Sequence, residues 1–301
     1  SFSARPKHLD PARSYSSNEI TFTGQIYEPP LQYHYLKRPY TLIPLTATAA
    51  GCGEVKLQQA NVDVGNHAAI QRGAKYFVNY CLNCHSLKYE RWQRMQEFGL
   101  SLDDIKDKLM PASAKPGDLM TIAMKADDAK KWFGNPAPDL TLETRLRGED
   151  WVYTYLKSFY LDDSRPFGVN NRVFDKVGMP HVLWELQGFK KPVYRYDVTM
   201  KGHVEQSFGS EDEAEAFVAE HGGDAALKIS KVVDDLETAV PGKLDETEYD
   251  KVIRDIVTFM AYMAEPVKME RQRLGIWVLL FLAVLFVFAY LLKKEYWKDI
   301  H

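Results

Sequence analysis

The five-residue run Cys81-Leu82-Asn83-Cys84-His85 constrains this chain more than any other stretch. Two thiols separated by two residues, with a histidine directly after the second, form the attachment sequence for c-type haem. In such a site both thiols add to the vinyl groups of the porphyrin, and the adjacent imidazole ligates the iron. The run therefore predicts one covalently bound haem c, with Cys81 and Cys84 as its thioether residues and His85 as the proximal iron ligand.

Two other chemistries use closely spaced cysteines. A zinc site needs further cysteine or histidine ligands at similarly short spacing, and the one remaining cysteine of the sequence is Cys52. A thiol–disulfide motif is expected beside a βαβ pattern, and none surrounds Cys81. The spacing therefore favours haem attachment, and we expect Cys52 to be a free thiol in a loop.

Composition sets the broad class of protein. A chain of 301 residues with 46% apolar and 26% charged residues is typical of one or two folded domains. A net charge of −3 argues against a nucleic-acid partner. Covalent attachment of haem places the haem domain outside the cytoplasm, because apocytochromes are exported before their thiols react.

The segment 274–292 reads LGIWVLLFLAVLFVFAYLL and carries no charge. At about 1.5 Å per residue it spans roughly 28 Å, close to the hydrocarbon thickness of a lipid bilayer. A buried core helix is the alternative, but a segment of this length without a polar stripe is not typical of one. We predict a transmembrane helix over 274–292, followed by a short cytoplasmic tail over 293–301.

Residues 1–50 differ from the rest of the chain. The run 27–40 is rich in proline and tyrosine, which favours extended or turn-like backbone. Two segments, DPARSYSSNE and GQIYEPPLQYHYL, resemble the start of periplasmic peptide-binding proteins, although 50 residues are too few for such a domain. We interpret 1–50 as an N-terminal extension of unknown role.

Residues that typically cap the start of a helix occur both before and after the haem run. Asn66 is placed to cap a helix over 68–80, and Asp245 with Glu248 forms a capping-box pair that opens a second helix. Gly73 has no side chain, so another helix can cross there closely. We expect the two helices to cross at Gly73.

The middle of the chain mixes short helices with loops. We predict helices over Leu102–Leu109, Asp127–Trp132 and Asp150–Tyr160, and a long loop over Leu161–Pro180 that holds a ligand. Residues 194–245 are polar and form an insertion. This insertion is either a solvated surface segment or an acidic docking face for a basic electron carrier.

The iron of an electron-transfer haem needs a second axial ligand, and a methionine there raises the reduction potential. Met179 lies in a Gly-Met-Pro turn, where backbone can approach the porphyrin, and it is the best candidate. Met260 and Met263 fall on an apolar helix face and are expected in the core. His181 is the competing ligand.

Charged and apolar side chains near this region are candidates for the haem surroundings. Arg145 and Arg147 can pair with haem propionates, since a guanidinium binds a carboxylate through two hydrogen bonds; the alternative is ordinary surface charge. Pro138 and Trp151 are candidate walls of the haem pocket, although aromatic side chains are more often simply core.

Several long segments resemble cytochrome c1 in its proteobacterial form: RGAKYFVNYCLNCHSLKYERW, GDLMTIAMKADDAKKWFG, APDLTLETRLRGEDWVYTYLKSFYLD, RPFGVNNRVFDKVGMPHVLWELQG and IWVLLFLAVLFVFAYLLKKEYWKD. They cover about residues 52–301 in family order. The resemblance implies His85 and Met179 as the axial ligands and Arg145 as a propionate partner. Ala137 stands where many members have a first proline, which leaves Pro138.

The resemblance also implies a fold and a role. The fold is mainly α, with a class I cytochrome c-like haem domain over 51–270, loop insertions and one C-terminal transmembrane helix. The role is that of an electron carrier of the cytochrome bc1 complex, beside cytochrome b in the bacterial inner membrane, with the haem domain in the periplasm. It would take one electron from the Rieske iron–sulfur protein and pass it to a soluble c-type cytochrome, without bond chemistry of its own.

Two rival functions come from other classes of protein, and a third is closer to the predicted role. A membrane-anchored haem peroxidase or nitrite-reducing enzyme would need an open iron position and usually a second Cys-x-x-Cys-His run, and this sequence has one. A solute-binding module would need a much longer α/β chain. The composition fits equally well a membrane-anchored cytochrome that donates electrons to an oxidase. Only the segments that resemble cytochrome c1 argue against that function.

Overall fold

The computed structural model describes residues 31–33, 42–44, 55–111, 114–200, 203–221 and 227–298. The chain forms two compact units, Ser1–Lys56 and Leu57–His301. In the first unit, strand β1 (Leu31–Tyr33) pairs antiparallel with strand β2 (Leu42–Pro44). Cys52, most of the predicted N-terminal extension and the last three residues of the predicted tail lie outside the described residues.

The second unit carries the haem run. Its helices are α1 (His67–Tyr80), α2 (Leu102–Lys108), α3 (Ala126–Phe133), α4 (Glu143–Arg147), α5 (Glu149–Lys157), α6 (Trp184–Gln187), α7 (Glu211–His221), α8 (Glu246–Ala264) and α9 (Lys268–Tyr296). Its strands are β3 (Leu87–Arg91), β4 (Leu119–Met120), β5 (Phe159–Leu161), β6 (Val169–Asn171), β7 (Gly188–Met200), β8 (His203–Phe208) and β9 (Leu227–Pro241), and a 3-10 helix spans Trp92–Phe98.

Both long helices of the haem domain begin at the caps that the sequence predicts. The Asn66 side-chain oxygen accepts a hydrogen bond from the Ala69 N–H at 3.1 Å and starts α1. Asp245 and Glu248 form a complete capping box at the start of α8. These caps satisfy backbone donors that a helix N-terminus leaves unpaired, so both helix starts are set locally.

Helices α1 and α8 cross at Gly73, as predicted. A Cβ atom at Gly73 would lie 2.0 Å from the Asp255 carbonyl oxygen, so the two backbones touch. Beside this contact, Arg72 donates two hydrogen bonds to the Asp255 carboxylate, at 2.6 and 2.9 Å. The rings of Phe77 and Phe259 pack with centroids 5.3 Å apart. Met260 and Met263 are buried in this core, as expected.

The aromatic helix after α4 is shorter than predicted. Helix α5 ends at Lys157, and the next residues form β5, which pairs antiparallel with β6 inside the predicted long loop. The Ser158 hydroxyl donates to the Thr154 carbonyl at 2.5 Å at this helix end. Phe159 then turns into a buried cluster with Val169 and Val177, so burial of an aromatic ring outweighs continuation of the helix.

The predicted polar insertion over 194–245 is a β structure, which the prediction of a mainly α fold missed. Strand β7 starts earlier, at Gly188, and is the centre of a three-stranded antiparallel sheet in the order β8, β7, β9. Helix α7 packs on this sheet, where Val198 and Ala214 are fully buried. The half-buried residues of β9 are apolar and its charged residues are exposed, but the two kinds alternate regularly only over its first four residues.

Helix α9 contains the predicted transmembrane segment over 274–292. It is 29 residues long and, by length and composition, is apolar enough to cross a membrane. None of its residues is buried in the protein. Lys268, at its first turn, pairs with Glu149 of α5 at 2.7 Å, which ties the start of α9 to the haem domain.

The crossing can be tested with Gly73→Ala. An added methyl group would meet the Asp255 carbonyl, so the helices must separate and the free energy of unfolding should fall by about 1–3 kcal/mol. Urea unfolding of the detergent-solubilised protein measures this. Gly117→Ala is the matched control, because a Cβ there meets no atom within 4 Å. Equal midpoints for the two variants would contradict the close crossing.

Candidate haem c site

The haem run forms a tight turn at the end of α1. The N–H groups of Cys81 and Leu82 donate to the Phe77 carbonyl at 2.8 and 3.0 Å. The N–H groups of Cys84 and His85 donate to the Cys81 carbonyl at 3.1 and 2.9 Å. These bonds close one turn around the two thiols, of which Cys81 is buried and Cys84 half-buried, and neither is in a disulfide.

Burial sets the protonation state of the first thiol. It raises the pKa of the Cys81 thiol to about 12, and the neighbouring Cys84 adds to the rise. The buried sulfur is therefore uncharged. A thioether is also uncharged, so its burial at this position carries no cost of removing an ion from water.

The imidazole of His85 is held by a backbone carbonyl. Its Nδ1 lies 2.8 Å from the Pro138 oxygen. Because a carbonyl oxygen can only accept, Nδ1 carries the proton and Nε2 keeps the lone pair that a metal needs. Burial lowers the pKa of His85, against the smaller opposite effect of the Pro138 hydrogen bond. The ring is therefore neutral at physiological pH and able to bind iron.

The Pro138 carbonyl is itself fixed by the chain around it. Asp139 accepts hydrogen bonds from the Lys88 N–H at 2.8 Å and from the Thr141 N–H at 3.1 Å. The sequence predicts Pro138 as a haem-pocket wall, whereas the contact that the structure shows is made by its backbone oxygen. No sequence pattern predicts which carbonyl a histidine meets, so this role was missed.

The loop that carries Met179 is supported by two buried asparagines, Asn170 and Asn171, which were not predicted as site residues. The Asn171 amide donates to the Tyr155 carbonyl at 2.8 Å, and its oxygen accepts from the N–H groups of Val173 and Phe174 at 2.9 and 3.2 Å. One side chain thus joins α5 to the turn after β6. A pair of asparagines in a long loop was the available signal, since asparagine side chains commonly bond to nearby backbone.

The second asparagine holds the outer part of the same loop. The Asn170 amide donates to Asp162 at 3.0 Å and to Asp175 at 2.9 Å. Arg165 donates to the Lys176 carbonyl at 2.9 Å. Lys176 has a φ of 58°, a left-handed conformation that a non-glycine residue rarely adopts. These bonds hold the backbone in place shortly before Met179.

Met179 is half-buried against the cluster of Phe159, Val169 and Val177. The Tyr155 hydroxyl lies 3.4 Å from its sulfur and donates to it. Burial is the main cause of a raised pKa of Tyr155, so the hydroxyl keeps its proton. The sulfur therefore has a fixed position and a hydrogen-bond donor.

His181, the competing ligand, is also buried. Its ring stacks on Phe159 with centroids 5.0 Å apart and an interplanar angle of 9°. Burial lowers the pKa of His181 to about 4, so it is neutral, and its Nε2 has no hydrogen-bond partner among the described residues. Both His181 and Met179 are thus chemically able to bind iron, and the Tyr155 hydroxyl bonded to sulfur favours Met179.

The two candidate propionate partners lie on α4 but differ in their surroundings. Arg147 pairs with Glu143, and its guanidinium lies 4.4 Å from the ring centroid of Trp151. Arg147 is therefore engaged inside the protein. Arg145 is exposed on the same helix, and its pairing with a propionate stays a prediction.

The donor set fits a covalently bound haem. Two thiols lie three positions apart in one turn, an imidazole presents a bare Nε2, and a methionine sulfur is held on a separate, braced loop. Over the ranges that the structure describes, no three His, Cys, Asp or Glu side chains gather as a metal-ion site. These features, with α9, define a single-haem c-type cytochrome with a candidate membrane anchor.

Comparison with known proteins identifies the family. Residues 59–300 match the model of the Cytochrome C1 family. Cytochrome c1 of Allochromatium vinosum is 49% identical over 261 residues, which are 86% of this chain and 96% of that protein. A Nitrosomonas europaea protein named ammonia monooxygenase gamma subunit is 41% identical over 86% of this chain and 95% of its own length. Cytochrome c1 of Rhodospirillum rubrum is 28% identical over 77% and 81%.

The chain belongs to the cytochrome c1 family. Members of this family bind covalently attached haem c and are membrane-anchored electron-transfer subunits of the cytochrome bc1 complex. The haem c predicted from the sequence is confirmed by this membership.

Asn171→Ala tests the support of the Met179 loop. The change removes three hydrogen bonds and should destabilise the loop by about 2 kcal/mol or more. The absorption band of the oxidised protein that marks methionine–iron bonding should then disappear at a lower urea concentration. Asn79→Ala, at an exposed asparagine of α1, should leave that midpoint unchanged. Identical midpoints for the two variants would show that Asn171 does not brace the ligand loop.

Tyr155→Phe tests the hydroxyl that meets the sulfur. A hydrogen bond to sulfur weakens its donation to oxidised iron, so its removal should lower the midpoint potential. A bond of about 1 kcal/mol corresponds to about 40 mV for one electron. Tyr153→Phe is the control, because that hydroxyl lies 3.5 Å from the Lys157 ammonium. A redox titration that finds no difference between the two variants would contradict this role.

Proposed function

We propose that this cytochrome c1 family member accepts one electron from the Rieske iron–sulfur protein and passes it to a soluble c-type cytochrome. The observation that carries the proposal is the independent bracing of two ligand atoms. The Pro138 carbonyl orients His85, and the Tyr155 hydroxyl orients Met179. Ligands held in this way keep their positions when the oxidation state changes, which suits electron transfer.

The residue assignments are part of the same proposal. Cys81 and Cys84 hold the haem through thioether bonds, with His85 and Met179 as its axial ligands. Arg145 pairs with a propionate. The crossing of α1 and α8 directly before the haem run supports a class I cytochrome c-like arrangement of the domain.

The haem, when bound, supplies the one-electron couple. The protein's part is to keep its own side chains in one protonation state. The Nδ1 proton of His85 stays on the bond to Pro138, and the Tyr155 proton stays on the bond to sulfur. The buried Phe159 cluster keeps water from the sulfur side. Each of these contributions favours a six-coordinate haem of raised potential.

The placement in the cell is part of the proposal. The haem domain, over 51–270, lies in the periplasm, because attachment to Cys81 and Cys84 follows export. The segment 274–292 spans the lipid bilayer of the bacterial inner membrane beside cytochrome b, and 293–301 is the cytoplasmic tail. Exposed carboxylates along α7 are suited to a basic soluble partner.

Met179→Ala in the assembled complex tests ligand and route together. The band that marks methionine–iron bonding should vanish, and the potential should fall on the order of 0.1 V or more, since axial ligands set haem potentials over roughly 0.8 V. Stopped-flow mixing with quinol should then show little haem c reduction by the Rieske centre and slow delivery to soluble cytochrome c.

Met263→Leu is the matched control, a buried methionine of α8 that should change neither spectrum nor rate. A wild-type spectrum without the methionine band, together with a change on His181→Ala, would move the axial ligand to His181. Normal quinol-driven reduction of this haem in a complex depleted of the Rieske protein would overturn the proposed route.

A further inference from the structure

Strand β9 lies at an edge of the three-stranded sheet. It pairs with β7 on one side, and among the described residues no strand pairs with its other side. The strand runs for 15 residues, Leu227–Pro241. The unpaired backbone groups of such a long edge are a template for another strand.

A bulge sets which residues of β9 lie at equivalent positions. Val193 pairs with Asp235 and Tyr194 with Val233, so Asp234 is an extra residue. We number positions along β9 by the β7 residue that each one faces. Lys228 faces Thr199 and Glu237 faces Lys191, so the stretch between them covers nine positions. Val232, opposite Arg195, is the middle position.

The charges of β9 are arranged about Val232 with opposite signs. One position from Val232 toward the start of β9 lies Lys231, and one position toward its end lies the bulge that contains Asp234. Four positions from Val232 in the same two directions lie Lys228 and Glu237. These four side chains and the remaining charged residue of the strand, Asp235, are exposed. One half of the strand is basic and the other half is acidic.

We infer that β9 pairs antiparallel with β9 of a second copy of this chain, with Val232 opposite Val232. Twofold symmetry then forms each cross-strand pair twice. Lys228 meets Glu237, Lys231 meets the Asp234 bulge, and the half-buried Ile229 meets Leu236. Opposite charges and apolar pairs at facing positions stabilise an antiparallel ladder.

The same charges select this register over its neighbours. Paired residues must project from the same face of the joined sheet, so the register can shift the centre of symmetry only by whole positions. A shift by one position in either direction centres the pairing on Lys231 or on the Asp234 bulge. In the first shifted register Lys231 faces Lys231 of the second copy, and in the other the two Asp234 bulges face each other. Like charges at facing positions destabilise the pairing.

Contacts within the chain hold the bulge in shape. Arg195 donates to Asp234 at 2.6 Å, and Arg172 donates to the Val233 carbonyl at 3.0 Å. Glu237 pairs with Lys191 at 3.0 Å, and this exposed pair can share its carboxylate with a second lysine. Charges and bulges on an edge strand can also protect it from pairing with another strand. That protection does not require basic residues before Val232 and acidic residues after it.

Cross-linking in native membranes tests the pairing on the full-length holoprotein, in a Cys52→Ser background that removes the remaining free thiol of the sequence. Val232→Cys should give a covalent dimer with a short bifunctional maleimide on a non-reducing gel. Lys228→Cys is the matched control, since its two copies would lie eight positions apart, about 27 Å at roughly 3.4 Å per residue. Co-expressed Lys228→Cys and Glu237→Cys chains should again cross-link.

A yield for Val232→Cys at least several-fold above that for Lys228→Cys is the expected result. Equal yields, or no dimer from either Val232→Cys or the co-expressed pair, would overturn the inference. In the Val232→Cys chain, Lys228→Glu should lower the yield several-fold and Lys228→Arg should retain it. A yield that Lys228→Glu leaves unchanged would also overturn it. The haem ligands play no part in these outcomes, so the result is independent of the proposed electron route.

Discussion

The backbone contact between α1 and α8 at Gly73 is the constraint on which the haem site depends. A residue with a side chain would hold the helices apart, whereas glycine brings the α1 backbone against the Asp255 carbonyl. The two-pronged bond from Arg72 to Asp255 and the packing of Phe77 on Phe259 fix the rotation of α1. The Phe77 carbonyl then accepts the first hydrogen bonds of the haem run, so the crossing determines where both thiols lie.

Each of the two candidate axial ligands, His85 and Met179, is held by a hydrogen bond to a group that is not itself a candidate iron ligand. A main-chain oxygen fixes the proton of His85, and a phenol fixes the position of the Met179 sulfur. Burial moves both acid–base equilibria away from neutral pH, since it lowers the pKa of His85 and raises that of Tyr155. Neither group changes its charge near pH 7, so the donor strength of the site stays constant there.

Local and chemically fixed features could be predicted from the sequence, and features that depend on distant partners could not. The haem run has a spacing set by the porphyrin, and the caps at Asn66 and Asp245 act within three residues, so these predictions were confirmed. The glycine crossing followed from the lack of a side chain. The bond of His85 to Pro138 joins residues 53 apart through a main-chain atom, which residue identity does not encode.

The missed sheet has the same cause. Strands β7 and β9 carry many charges and two register shifts, and the β9 partner of each β7 residue lies 27 to 53 positions away. Alternation along one strand is then weak, and its pairing depends on a remote segment. Helix α5 was predicted too long because its aromatic residues fit a helix equally well until Phe159 finds its buried cluster.

The insertion leaves the haem domain and returns to it at a single point, which explains how a polar sheet is accommodated. A Cβ on Gly188 would lie 2.0 Å from the Val240 carbonyl oxygen, and one on Gly242 would lie 2.3 Å from the Leu186 carbonyl oxygen. The Leu244 N–H donates to that same Leu186 carbonyl at 3.1 Å. Because the two ends touch, the chain resumes at α8 as though the insertion were absent. Contacts between the two ends of the insertion therefore fix the point from which the chain enters α8.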